Sequence, residues 1–138
     1  MHEIPQKNSL ITVLAFDYGT KRIGVSVGNS LTKSAEALNV INNVSEEVRF
    51  KAVEHLILQW NPSAIVVGLP FHPDGIEHEM TQRAKRFGQQ IKGRFSRLVY
   101  FVDERYSSTI LDGNRQYQDR LDSHAAALIL EQFFLEQG

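Results

Sequence analysis

The sequence predicts an α/β protein built on one mixed five-stranded central sheet flanked by helices. Three observations carry that expectation. Two β-rich apolar runs, Ile11 to Phe16 and Ile23 to Gly28, stand either side of Asp17-Tyr18-Gly19-Thr20-Lys21-Arg22, the pattern of an antiparallel hairpin. Two more runs, Ala64 to Leu69 and Leu98 to Val102, are short and continuously apolar, as strands covered on both faces are. Helical stretches separate them, and a strand, helix, strand succession closes as a right-handed crossover onto parallel strands.

Each element follows in order. Gly19 fits the turn of the opening hairpin, and Ala37 to Ile41 supplies a third, weaker strand ahead of Asn42-Asn43. A helix is expected from Ser45, because Glu46 and Glu47 fall in its first turn and Val48, Ala52, Leu56 and Trp60 share one face. Asn61-Pro62 stops it. After the fourth strand, Pro70 and Pro73-Asp74-Gly75 mark a loop. Ile76, Met80, Ala84, Phe87 and Ile91 then describe the apolar stripe of a second helix. Following the fifth strand, Asp103 to Leu121 has no sustained period and reads mostly as loop, and a last helix opens at Asp122 and runs to about Glu136.

Composition narrows the class. The 138 residues carry 42% hydrophobic and 22% charged side chains, those of a globular protein. A chain of this size buries roughly 68% of its unfolded surface, enough for one core, so a single domain over 1–138 is expected, with 1–10 a flexible extension. No cysteine is present, which excludes disulfides, thiolate zinc sites and thiol catalysis. The apolar stretch Ala125 to Leu135 is interrupted by Glu131 and Gln132 and is too short for a bilayer. MHEIPQKNSL has no signal-peptide pattern, so a cytoplasmic protein without membrane contact is expected. The net charge of −1 excludes a globally basic coat protein. Yet Met80 to Val102 holds Arg83, Lys85, Arg86, Lys92, Arg94 and Arg97 and no acid, which leaves the rest of the chain strongly acidic. A segment of that kind fits a phosphate-rich partner or, equally, a solvated helix face.

In open sheets with parallel strands, functional groups gather at the strands' carboxyl ends. Asp17 ends the first strand, Asp103 and Glu104 end the last, and Asp122 opens a helix. Singly, each has a structural reading: Asp17 as a turn cap, Asp122 as an N-cap. Together they are the oxygen donors that a hard divalent cation needs. The five histidines have no zinc-site spacing, and Gly68-Leu-Pro70, lacking the Lys and Ser/Thr of a phosphate loop, fits a site wall.

Four motifs, in order, carry a resemblance: Asp17-Tyr-Gly-Thr-Lys-Arg-Ile-Gly24; Val67-Gly-Leu-Pro70 with Asp74-Gly75; Asp103-Glu-Arg-Tyr-Ser107; and Asp122-Ser-His-Ala-Ala126. From about Leu14 to Gly138 the chain resembles the YqgF (RuvX) family, Holliday-junction-resolvase-like proteins of the ribonuclease H superfamily assigned in bacteria as nucleases of pre-16S rRNA. The resemblance implies a ribonuclease H-like fold, with Asp17, Glu104 and Asp122 as catalytic and metal-binding acids and two Mg²⁺ or Mn²⁺ ions. Adjacent residues on a strand face opposite ways, so only one of Asp103 and Glu104 enters the site; the resemblance selects Glu104, with Asp103 as the fallback. The implied partner is structured RNA such as pre-16S rRNA, or branched DNA, with ribosomal particles a further expectation and oligomeric state open. Lys21, Arg22, Arg83, Arg86, Arg94, Arg97 and Arg105 are the expected phosphate contacts. The stretch from Arg105 to Asp122 is shorter than the family pattern, a departure that bears on substrate preference and strength of activity. Two rivals stand beside this reading. The hairpin motif also resembles the phosphate-binding turn of actin- and hexokinase-like enzymes, whose two-domain cleft this chain is too short to form. The other rival is a non-catalytic nucleic-acid or ribosome-assembly module.

Overall fold

The computed structural model describes residues 11–104 and 118–137, with the backbone alone for 118–122. The expected extension at 1–10, and Arg105, lie outside the described residues. Five strands form one sheet: β1 (Thr12–Asp17), β2 (Arg22–Asn29), β3 (Ala35–Asn42), β4 (Ala64–Leu69) and β5 (Leu98–Asp103). The order across it is β3-β2-β1-β4-β5, antiparallel from β3 to β1 and parallel from β1 to β5. This is the mixed sheet that the hairpin and crossover patterns predict.

Three helices cover the sheet: α1 (Glu46–Trp60), α2 (Glu79–Phe95) and α3 (Gln118–Gln137). Strand alternation sorts the core into two layers. Leu14, Phe16, Ile23, Val25, Ile65 and Val67 pack with Phe50, Val53 and Ile57 of α1 and Ala84, Phe87 and Ile91 of α2. On the other face Val13, Ala15, Ala64, Val66 and Val102 meet Ile129, Leu130, Phe133 and Phe134 of α3. Helix α3 comes close because β2 offers it only small residues, Gly24, Ser26 and Gly28. A β carbon on Gly28 would stand 3.2 Å from side-chain atoms of Leu130 and Phe134. The Ser26 hydroxyl is buried and donates to the Ala126 carbonyl at 2.8 Å. None of the described helices is long and apolar enough to cross a membrane.

Several sequence expectations need correction. Helix α1 starts after its Ser45 cap as predicted, the Ser45 Oγ accepting from Val48 N at 3.1 Å. Its deepest residues, however, are Phe50, Val53 and Ile57, and Val48 is 43% exposed, because the sheet meets the helix along a stripe displaced from the four-residue row. Ile76 does not join α2; it is exposed, in a tight turn where His72 N and Ile76 O bond and Gly75 takes the left-handed φ of 91° that glycine permits. Helix α2 begins instead at a His78 cap, whose Nδ1 accepts from Met80 N while the Thr81 hydroxyl accepts from His78 N. Finally, α3 starts at Gln118, so Asp122 lies inside the helix and is not its N-cap, and the end of the predicted loop is helical.

Candidate active site

The parity of three neighbouring strands builds the site. On β1, Val13 and Ala15 face α3, so Asp17, two residues on, falls on the same side. On β4 the same alternation from Ala64 and Val66 brings Gly68 to that face. On β5 it brings Val102, and then Glu104 immediately beyond the strand. The β4–β5 register sets Gly68 opposite Val102 and Leu69 opposite Asp103. The residue before Glu104 therefore belongs to the opposite, α2-facing side, where Phe101 packs against Gly88.

Across β4, Glu104 reaches a hydrogen bond with the Asp17 side chain. It can do so because position 68 has no side chain. A β carbon there would sit 2.8 Å from Glu104 Oε2 and 2.9 Å from its Cγ, and would also strike Ile129. The glycine of the Val-Gly-Leu-Pro motif is thus the floor on which the carboxylate lies, the wall role expected of it. Burial pushes the Glu104 carboxyl above its ordinary value. The hydrogen bond with Asp17 opposes that rise, the negative charge of Asp103 adds to it, and His78 opposes it.

The third expected acid is placed by its backbone. Ser123 is buried, and its Oγ accepts from Val25 N at 3.3 Å. Val25 pairs with Phe16, and the adjacent Gly24 pairs with Asp17. Position 122 of α3 therefore stands next to a contact made one residue from the partner of Asp17. Its side chain lies outside the described residues. Among those residues no group of three or more His, Cys, Asp or Glu is gathered to hold a metal. The Asp17–Glu104 pair nevertheless fits a hard divalent cation. It supplies only oxygen donors, sits where a β carbon is missing, and carries one carboxyl whose ionised form is disfavoured by burial.

The expected phosphate contacts separate into groups. Lys21 is exposed in the hairpin turn beside Asp17, and Arg22 starts β2, half-buried. On α2, Arg83 pairs with Glu79 at 2.7 Å and Lys85 with Glu77 at 2.6 Å. Arg94 bonds Glu46 at 3.0 Å and lies 4.1 Å from the Phe50 ring centre. Arg97 donates to the Pro62 carbonyl at 3.3 Å. Much of the positive segment is thus partnered locally, and Arg86 and Lys92 stand exposed.

Residues 11–136 match the model of the RuvX family, described as Holliday junction resolvase. The chain belongs to the RuvX family. A Polynucleobacter necessarius protein (strain STIR1) named "Putative pre-16S rRNA nuclease" is 54% identical over 126 residues, covering 91% of this chain and 86% of that one. A Paraburkholderia xenovorans protein (strain LB400) of the same name is 59% identical over 127 residues, 88% of this chain and 86% of its own length. Among solved structures, Thermus thermophilus RuvC in complex with a Holliday junction substrate superposes with a TM-score of 0.60 at 17% identity, covering 92% of this chain and 95% of that one. The yeast mitochondrial Holliday junction resolvase Ydc2 gives 0.54 at 13% identity, over 88% and 77%. These neighbours show the ribonuclease H-like fold.

In this RuvX-family chain, sequence reasoning missed two residues near the site. His78 carries charge influence onto Glu104, and its ring lies 4.8 Å from that of His72. Its sequence signal was the capping spacing His78-x-x-Thr81 at the start of α2. Arg49 of α1 donates to Asn43 Oδ1 at 2.5 Å, and Asn43 Nδ2 in turn donates to the Gly19 carbonyl at 2.7 Å. That chain of bonds ties α1 to the turn that follows Asp17, and no local sequence signal marks it.

Proposed function

We propose that this protein is a divalent-metal-dependent nuclease that hydrolyses phosphodiester bonds of structured nucleic acid, acting on the 5′ end of pre-16S rRNA during ribosome assembly in the cytoplasm. The observation that carries the reading is the Asp17–Glu104 pair at the carboxyl ends of β1 and β5, with α3 bringing position 122 alongside. Family membership and relatives 54% and 59% identical support the nuclease class and the RNA.

In this reading Asp17, Glu104 and Asp122 hold two Mg²⁺ or Mn²⁺ ions, which when bound supply activation of water and charge neutralisation at the leaving oxygen. The chain's own groups orient and exclude. Gly68 leaves beneath Glu104 the space that a side chain would fill, with Ile129 packed beside it. Lys21 and Arg22 meet phosphates flanking the scissile one. No side chain acts as nucleophile: water adds to phosphorus, the bond to the 3′ oxygen breaks, and the products end in 5′-phosphate and 3′-hydroxyl. A transcript spanning the 5′ end of 16S rRNA, incubated with Mg²⁺ and Mn²⁺ separately, should be cut by the wild type and left intact by Asp17→Asn and Glu104→Gln. Cutting by both variants at the wild-type rate overturns the assignment. The family's resolvase description favours a second reading on branched DNA, and a four-way junction in the same assay decides between them.

A further inference from the structure

At the same carboxyl edge of the sheet, but on its other face, lies a cleft of about 200 Å³ between α1 and α2. Asp17 turns toward α3, and Tyr18, the next residue, turns the opposite way into this cleft, whose lining it shares with Arg49, Arg86 and Phe87. The wall is rigid. Phe87 packs on Phe16, Tyr18 and Phe50 with ring centres 5.6, 4.9 and 5.8 Å apart. The Arg49 guanidinium lies 5.9 Å from the Tyr18 ring centre and 5.4 Å from that of Phe50, its Nη1 fixed on the Asn43 amide.

Charge separates this cleft from the rest of the basic surface. Arg83 at its rim already pairs with Glu79, and Glu46, the one acid lining it, is engaged by Arg94. Arg49 is held by a neutral amide, which leaves its charge uncompensated and its remaining donors available. Arg86 makes no hydrogen bond or ion pair among the described residues. A preorganised guanidinium beside a second one, in a pocket with room for a tetrahedral oxyanion, is the donor set that a phosphate selects. We propose that this cleft binds a phosphate of the substrate strand adjacent to the scissile one, with Arg49 and Arg86 as its ligands and Tyr18 as its wall. The strand then crosses the sheet edge from the Asp17–Glu104 pair to the α1–α2 face. This deepens the nuclease reading and rests on it for the identity of the strand.

The test is the affinity for a short single-stranded RNA, measured in chelator across a range of salt so that nothing is cut. Replacing Arg49 or Arg86 by Gln should each lower the steepness of log affinity against log salt by about 0.7, the value of one lost phosphate contact on a single strand. Lys92→Ala, on the same basic segment but outside the cleft, should leave the slope unchanged. Wild-type slopes in both Gln variants overturn the proposal, and so does an equal loss in Lys92→Ala, which would mean a diffuse positive surface. Arg49 also braces the hairpin turn, so thermal melts accompany the titrations; if Arg49→Gln melts early, the exposed Arg86→Gln decides alone. Asp17→Asn should keep the wild-type slope while losing cleavage. An Asp17→Asn protein that still cuts ends the carboxylate reading without altering the slopes on which the cleft is judged.

Discussion

At the scale of single residues, the buried carboxyl of Glu104 works against the stability of the metal-free protein. Glu104 is held above its ordinary value chiefly because it is buried, so ionising it in the folded state costs free energy that the unfolded chain does not spend. The sign follows from proton counting. From about 4.5, the ordinary Glu value, upward through the raised folded value, the native state binds more protons than the unfolded one, and stability in chelator falls as pH rises. Glu104→Gln keeps the shape and removes the titration. It should flatten that part of the stability profile, melt no lower than wild type at neutral pH in chelator, and lose cleavage. Like-charge crowding of the acids is one contributor, through Asp103, while Asp17 acts in the other direction by hydrogen bonding. If Asp17 were merely a turn cap, Asp17→Asn would instead cost about 1.5 to 3 kcal/mol with or without metal. Melts in chelator and in Mn²⁺ separate the two. Gly68→Ala tests the floor: its new methyl displaces Glu104 and presses on Ile129, and it should cost about 1 to 3 kcal/mol by overpacking along with most of the activity.

At the scale of elements, α3 is the part that has to be brought to the sheet, since in the proposed reading position 122 serves the site only when the helix is seated. Two buried hydroxyls do the seating, Ser26 on β2 toward the Ala126 carbonyl and Ser123 toward Val25 N. Ser26→Ala removes one partner of a buried pair and leaves the Ala126 carbonyl with its helical bond. The expected loss is about 0.5 to 1.5 kcal/mol, read as a lower denaturant midpoint with an unchanged m-value. Because the change loosens α3 relative to β1, metal-dependent cleavage should fall further than the stability loss accounts for. Cleavage equal to wild type at a temperature where both are fully folded would show that the helix is placed by its apolar face alone.

At the scale of the whole molecule, the proposed metal-dependent reading links metal binding to folding. If the acids converge only in the native state, Mn²⁺ should stabilise the wild type by about 2.7 kcal/mol at a concentration one hundred times its dissociation constant, and Asp17→Asn should show much less. Thermal melts over a Mn²⁺ series measure this directly, with no substrate present.

How much of this was legible depends on which signals are local. The hairpin around Gly19, the helix start at Ser45 and the strands expected at Ala64 to Leu69 and Leu98 to Val102 follow from period and from turn and cap chemistry, each acting within a few residues, and the sequence alone determined them as elements. The expectation that both strands are covered on both faces holds for β4 alone, because β5 lies at the sheet edge with Leu98, Tyr100 and Phe101 exposed. Four motifs in register also sufficed to mark the family. The start of α3 was hidden because Gln118 to Leu121 has no apolar stripe to announce a helix, and the turn at Ile76 because an apolar residue at helical spacing looks the same whether it packs or faces water. The choice between Asp103 and Glu104 had a different obstacle. Alternation says that they oppose each other, but β4 is buried on both faces and gives no hint of which face is which. Only the β4–β5 register and the empty position at Gly68 bring Glu104 to Asp17. Likewise, six cations in a row read as one basic surface. Tertiary contacts with Glu46 and Pro62 and pairing with Glu77 and Glu79 engage four of them, and Arg49 from another helix meets Arg86 across a cleft. Backbone preferences and hydrophobic period decide elements because they are short-range. The carboxylate pair and the arginine cleft join residues far apart in the chain, so they were decided only by how the strands and helices pack.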